Sequence, residues 1–567
     1  MMDDDNGAMP EKEPEILAFC CNWCAYAGAD LAGVSRLKYP ENVRIIRVMC
    51  TGRVSEGLIM RAFESGFEGV LVAGCHLGEC HYINGNEKAI RRVEKLQRLL
   101  ELLGLGDGRL RFEEISASEG GKFAEVVRRF VDDLKGMPPV TCVFCGGEAA
   151  ETDVKAEIEK IVEETKAFYC VECGKCTASC PISRFLEDYS PRANVERAVF
   201  GLSEEALSDV NIWQCLTCGL CEMRCPAGVD YVRFIREMRQ LASVAAQNRC
   251  PCAHGGVLHS MMRLMAYEDV TPRKFDIFDG LKVSRRGELM YFVGCLPFFD
   301  VILDEASPGG VEIARSAVYI MNRLGISPVI LEGELCCGHD LLWTGDVEAF
   351  QRLAARNVAA MEEAGVRKVI FSCAECYRTF KKDYPELLGD LDFELMHISE
   401  FLSEELEKRG VELSLEGVAA AAAGAASATA AAAAEEAAAG RETTELRVIY
   451  HDPCRLGRHL GVYDAPRRVL SRIKGVRLVE FEDSKESAQC CGTSAWASCD
   501  FVSEELRIRR LREARDKASI LVTACPKCKT HFRCTQNRKD LPVKPEEINV
   551  EVKDFAEVVA AALRGSD

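Results

Sequence analysis

CVECGKCTASCP at residues 170–181 and CLTCGLCEMRCP at residues 215–226 share one spacing, C-x2-C-x2-C-x3-C-P. Three thiolates spaced in this way wrap three corners of a cubane iron–sulfur cluster, and the fourth, ahead of proline, usually ligates the other cluster of a two-cluster unit. Cys170, Cys173, Cys176 and Cys180, with Cys215, Cys218, Cys221 and Cys225, are therefore candidate ligands of two cubane 4Fe-4S clusters. A pair of zinc sites is the competing reading, but zinc normally takes paired C-x2-C knuckles rather than triple runs. Between the runs, ANVERAVFGLSEEALSD has helical periodicity, which predicts a helical two-cluster ferredoxin domain over 168–250. Such a module is a wire rather than a reaction centre.

Toward the C-terminus a second pattern occurs twice. Cys295, Cys336, Cys337, Cys373 and Cys376 return as Cys454, Cys490, Cys491, Cys525 and Cys528, each adjacent pair followed by glycine. Cys295 follows ELMYFVG and Cys373 ends VIFSC; Cys454 follows RVIYHDP and Cys525 ends ILVTAC. Thiols that follow apolar strands lie at the carboxyl edge of a sheet, where α/β folds build their sites. The repeat predicts two copies of one α/β domain, over 288–412 and 444–564, joined by an alanine-rich linker over 413–443. Neighbouring side chains diverge, so adjacent cysteines reach two corners of an ordinary cubane poorly. Five thiolates per site suit an opened cluster with bridging sulfur.

Toward the N-terminus, apolar strand-like runs alternate with helical patterns from Glu15 to Met137, which predicts a parallel α/β domain over 14–137 after a polar tail at 1–13. Cys20, Cys21 and Cys24 follow its first strand, Cys50 its second, and Cys75 and Cys80 its third, six thiols at one sheet edge. Four would ligate a small cluster and two would be spare. Residues 138–167 read as a linker and a charged helix. The fold class is thus multidomain α/β with a helical ferredoxin insert.

The chain has 567 residues and 30 cysteines, with a net charge of −18. That charge repels phosphate backbones and anionic lipid, so nucleic acid is not an expected partner. A large chain opening MMDDDNGAMPEKEPE is unlike a small secreted disulfide scaffold behind a cleavable leader, and a reducing cytoplasm is the expected setting. Direct membrane insertion is not expected, because no stretch is long and apolar enough. Cys142 and Cys145 form a lone C-x2-C near the linker, with half a zinc knuckle or a redox pair as its functional readings and no second pair nearby to support either. Cys250, Cys252, Cys499 and Cys534 remain and read as buried thiols rather than ligands. His76, His81, His339 and His451 lie beside proposed ligands. Arg455, Arg458, His459 and Lys529 flank the second five-cysteine set, there either to hold an anionic substrate or to balance a cluster's charge.

Three resemblances sharpen these readings. The ferredoxin pair resembles the helical module of respiratory and heterodisulfide-reductase iron–sulfur subunits. The duplicated domain resembles the CCG domain in the B subunit of heterodisulfide reductase, which implies a non-cubane 4Fe-4S cluster in each half, together binding and splitting a small-molecule disulfide. Residues 14–137, with CCNWCAYAGAD, IRVMCTGRV and GCHLGECHY, resemble the delta subunit of methyl-viologen-reducing hydrogenase. This last resemblance implies one 2Fe-2S cluster, for which Cys21, Cys24, Cys75 and Cys80 are favoured, with Cys20 and Cys50 as substitutes. It also implies a hydrogenase or formate dehydrogenase as electron source, and a heterodisulfide reductase A-like flavoprotein partner. With no dinucleotide fingerprint or phosphate loop here, FAD is expected only on that partner. The order of ferredoxin and CCG domains is shared with iron–sulfur subunits of glycolate, lactate and glycerol-3-phosphate dehydrogenases, but those have no delta-like domain. A zinc-bound scaffold is the non-enzymatic alternative.

Overall fold

A computed structural model describes residues 13–140, 153–246, 248–414 and 445–564. Cys142 and Cys145, the alanine-rich tract and almost all of the acidic tail lie outside the described residues. The chain divides into two compact units, one formed by residues up to 147 with 254–271, the other by 148–253 with 272–567.

The first unit is built on four parallel strands, β1 (Ile16–Cys21), β2 (Val43–Val48), β3 (Gly69–Gly74) and β4 (Leu110–Glu114), in the order β2-β1-β3-β4. Ile16 pairs with both Val43 and Gly69. The two central strands, ILAFCC and GVLVAG, are buried along their whole length, whereas the edge strand VRIIRV alternates. That contrast is the one that separates doubly covered strands from edges in parallel sheets. Helices α1 (Ala25–Val34) and α4 (Gly120–Lys135) share one core with β1, in which Ile16, Ala18 and Cys20 meet Phe123, Val127 and Phe130. Helices α2 (Glu56–Glu64) and α3 (Gly85–Leu102) complete the α/β alternation, and Ser55 caps α2 by accepting from Leu58 N.

A helix that sequence reading left unassigned, Val257–Met265, packs on α2. Glu64 accepts from Ser260 Oγ at 2.7 Å and Arg263 at 3.1 Å, and Tyr267 donates to the Glu64 carbonyl at 2.6 Å. The approach is close because Gly57 has no side chain: a Cβ there would lie 2.0 Å from the Gly255 carbonyl oxygen.

In the second unit, helices Val154–Glu164, Pro191–Val199 and Tyr231–Ala245 frame the ferredoxin-like cysteines, capped by Asp153, Ser190 and Asp230. The two halves that follow have matching sheets. Strands β5 (Leu289–Phe292), β6 (Lys368–Phe371) and β7 (Glu394–His397) are parallel in that order; β9 (Leu446–His451), β12 (Ile520–Thr523) and β13 (Glu551–Asp554) repeat it. The second half adds β11 (Val476–Val479) beside β9, while its counterpart in the first half is reduced to single bridges at Val329. Short strands β8 (Leu413–Ser414) and β10 (Ile473–Lys474) pair between the halves. The halves also exchange helices reciprocally: Gly310–Arg323 packs on Phe555–Arg564, and Ile398–Arg409 packs on Asp464–Leu470. Among the described residues no helix is long and apolar enough to cross a membrane.

Candidate metal centres

The ferredoxin-like runs fold alike because their sequences place glycine at the same step. Gly174 and Gly219 have φ of 73° and 77°, and each opens a short helix carrying the third cysteine of its run. The residues two before them, Glu172 and Thr217, are left-handed too. Cys215, Cys218 and Cys221 are buried and line one small pocket together with Cys180, the last cysteine of the other run. Burial pushes the Cys180 thiol up to about 12. Cys173 is exposed, and Cys170, Cys176 and Cys225 are half-buried.

Each half of the duplicated region places its five sulfurs in a chain of contacts. In the first, Cys295 Sγ lies 2.9 Å from Cys336 Sγ, Cys336 reaches Cys337, Cys337 reaches Cys376, and Cys376 reaches Cys373. In the second, the chain runs Cys454, Cys490, Cys491, Cys528, Cys525 in the same order. The two chains adjoin at Cys373 and Cys525, whose thiols act on each other's acidity. The ten thiols therefore flank one junction between the halves. Their shared protons split their acidities: the hydrogen bond from Cys490 holds Cys491 down at about 6, while the neighbouring Cys373 lifts Cys525 to about 11. A small pocket adjoins each chain of thiols.

Across this junction the middles of the two C-x-x-C loops form an ion pair. Lys527, from CPKC, lies 2.5 Å from Glu375, from CAEC, and 2.6 Å from Asp340, all buried. Its Nζ sits among the side chains of His339, Asp340 and Glu375, a group whose spacing would also suit a metal ion. His339 donates from Nδ1 to Asp340 at 2.9 Å and accepts from Arg455 at Nε2, and burial keeps its imidazole below the usual range. Sequence reading gave Lys527 and Glu375 no weight; the signal was the opposite charge at one position of aligned loops. Lys529 is buried and paired with Glu557 at 2.8 Å. His451 is buried and accepts from Arg510.

At the first unit's sheet edge, Cys24 Sγ and Cys21 Sγ lie 2.9 Å and 3.8 Å from Cys75 Sγ. Cys80 is not with this trio but lies beside Cys50. Gly85 makes room for that pair, since a Cβ there would lie 2.2 Å from Cys50 Sγ and 3.4 Å from Cys80 Sγ. Cys20 alternates to the core face of β1, and burial raises it to about 12. His76 is held between Glu114 and Glu119, and His81 stacks on Trp23. The remaining described thiols depart from the expectation of burial: Cys499 is exposed, and Cys250, Cys252 and Cys534 are half-buried. Cys250, Cys252 and Cys499 lie in loops, and Cys534 lies near the end of its helix.

All-sulfur donor sets are soft sites of the iron–sulfur type, and the five thiols of each cysteine-rich half exceed the four that zinc takes. The residues present fit iron–sulfur groups by this test. Family comparison agrees. Residues 16–138 match the methyl-viologen-reducing hydrogenase delta subunit, 166–229 a 4Fe-4S dicluster domain, and 289–381 with 448–533 the cysteine-rich domain CCG. The iron-sulfur D subunit of the vhc F420-non-reducing hydrogenase of Methanococcus voltae is 51% identical over 129 residues, which span 23% of this chain and 90% of that protein. The chain belongs to the hydrogenase delta-subunit family, fused to heterodisulfide reductase modules. The D subunit of the dihydromethanophenazine:CoB–CoM heterodisulfide reductase of Methanosarcina barkeri is 28% identical over 429 residues, 70% of this chain and 93% of that protein. The A subunit of the ferredoxin:CoB–CoM heterodisulfide reductase of Methanosarcina mazei is 46% identical over 127 residues, 22% of this chain and 16% of that protein. This fusion is an iron–sulfur oxidoreductase subunit of heterodisulfide-reductase type, and the reading as part of a glycolate-type dehydrogenase is not favoured.

Proposed function

We propose that the junction flanked by the ten thiols is the place where a small-molecule disulfide is reduced. The observation that carries this is the buried Lys527–Glu375 pair, 2.5 Å apart, which brings the C-x-x-C loops of the two half-sites together. Cys295, Cys336, Cys337, Cys373 and Cys376 would hold one non-cubane 4Fe-4S group, and Cys454, Cys490, Cys491, Cys525 and Cys528 a second. Cys170, Cys173, Cys176 and Cys225 would hold one cubane, and Cys180, Cys215, Cys218 and Cys221 the other. A 2Fe-2S group would draw on Cys21, Cys24 and Cys75, with Cys80 or Cys50 as fourth ligand. When bound, these groups supply one-electron chemistry, two deliveries of which, with two protons, turn RSSR′ into RSH and R′SH.

The chain's own residues prepare that reaction. Thr217, between two ferredoxin cysteines, bonds Ser494 at 2.7 Å and Arg455 at 2.6 Å, so the second ferredoxin loop abuts the second cysteine-rich site. Lys527 and Glu375 hold the two C-x-x-C loops face to face. The electron source would be a hydrogenase or formate dehydrogenase at the N-terminal domain, or a flavoprotein of the heterodisulfide reductase A type, all in the cytoplasm. The test is anaerobic purification, iron analysis and disulfide-reductase assay of the wild type and of Cys336→Ser and Cys490→Ser variants. The expected result is about 18 iron atoms in the wild type, with activity lost in both variants. Full activity in both would overturn the reading.

A further inference from the structure

The two cysteine-rich sites repeat each other in sulfur but not in charge. At the first, the cation beside Cys295 is Lys274, and Glu334 answers it at 2.8 Å with both side chains fully buried. The other charges on that side are paired: Asp340 near Cys336 and Glu375 near Cys373 both meet Lys527, and the buried Arg378 meets Asp383.

At the second site, two guanidinium groups flank Cys454, and none of their hydrogen bonds goes to a carboxylate. Arg455, 2% exposed, donates to the Thr217 carbonyl, Thr217 Oγ1, Ser494 Oγ and the rings of His339 and His459. Arg458 donates from Nε to the Cys218 carbonyl at 2.6 Å, and from Nη1 to the carbonyls of Ala488 and Glu486. Its Nη2 is buried and has no hydrogen-bond partner among the described residues. The Arg458 charge reaches Cys218, Cys454 and Cys490, two sites with one side chain. Arg455 is buried and Arg458 half-buried, and a guanidinium cannot shed its charge by losing a proton, so leaving it without a counter-ion is costly. On holding an iron–sulfur group the neighbouring cysteines would become anionic and supply that counter-charge.

We propose that Arg458, supported by Arg455, is the counter-cation that gives the iron–sulfur group of the second cysteine-rich site a higher reduction potential than that of the first. This inference rests on the reading that both sites hold such groups. Positive charge close to a cluster favours its reduced form, and net charge and hydrogen bonding are among the terms that set such potentials. Arg458 acts through Cys454 and Cys490 and is a positioning residue rather than a catalytic one. The alternative role, holding an anionic substrate, leaves unexplained why two of its nitrogens are spent on the backbone of neighbouring loops.

The experiment is an EPR-monitored potentiometric titration of the full-length holo-protein. The signal that disappears in Cys490→Ser belongs to the second site, and the one that disappears in Cys336→Ser to the first. In the wild type the second-site signal is expected at the higher potential; the reverse order overturns the proposal whatever any arginine variant does. In Arg458→Gln, with iron retained, the second-site signal is expected to move to lower potential, the first-site signal to stay, and Arg458→Lys to restore the shift. An unmoved second-site potential, or equal shifts at both sites, also overturns it. A wild type with iron only for the wire and neither cysteine-rich signal would overturn the proposed function itself.

Discussion

Glu334 accepts from Val293 N at 3.0 Å and Gly294 N at 2.7 Å as well as from Lys274, so one buried carboxylate fixes the turn that delivers Cys295. Replacing it with glutamine keeps the shape and removes the charge, leaving Lys274 buried alone. A broken buried pair costs about 3–5 kcal/mol. Hydrogen exchange in Glu334→Gln is expected to show β5 opening more easily by that amount, with the sheet of the N-terminal unit unchanged; equal protection of β5 would remove Glu334 from this role. At this scale the sequence was legible where chemistry is local. The x2 spacings and the adjacent cysteines mark out their cysteine sets because the pattern spans a few residues. Lys527 and Glu375 were not legible, since each is an ordinary charged residue until folding brings their loops together. Cys80 shows the same limit: its position after β3 was clear from the sequence, its pairing with Cys50 was not.

Helix Ile398–Arg409 begins with an unusual cap. His397 Nδ1 accepts from Ser399 N, its Nε2 faces the Ser372 carbonyl at 3.3 Å, and Glu400 closes the box on His397 N. Nδ1 must therefore stay unprotonated, and burial lowers this imidazole to about 4 from 6.5. The folded value lies below the unfolded one, so the stabilisation is complete above about pH 6.5 and is lost as pH falls toward 4, an effect of about 3 kcal/mol. Hydrogen exchange of this helix is expected to weaken over that interval in the wild type, and much less in His397→Asn, which caps without titrating. A variant with the same pH dependence would point to another group. The strands themselves were readable, because buried parallel strands write continuous apolar runs such as GVLVAG and ILVTAC. The short elements were not: β8 and β10 are two residues each, too brief to carry a period.

On the scale of the whole molecule, the chain leaves its first unit and returns to it for residues 254–271 before completing the second. No composition shift marks that return. Its signals were the HGG run, in which His254, Gly255 and Gly256 all have positive φ, and the apolar spacing of VLHSMMRLM. Because this helix covers α2, a fragment ending at residue 140 is expected to melt at a lower temperature than the same fragment supplied with a 254–271 peptide. Identical melting curves would show that the returning helix adds nothing. The duplication, by contrast, was plain from ten cysteines in two matching sets.

The reciprocal helix exchange and the junction at Cys373 and Cys525 bear on how such a molecule arose. A single-copy ancestor with this geometry would have carried half a site, and would have completed it only against a twin of itself. In that symmetric pair the middle of each C-x-x-C loop would have faced its own copy, glutamate against glutamate or lysine against lysine. An attraction of the Glu375–Lys527 kind at this position requires the two copies to differ in sequence.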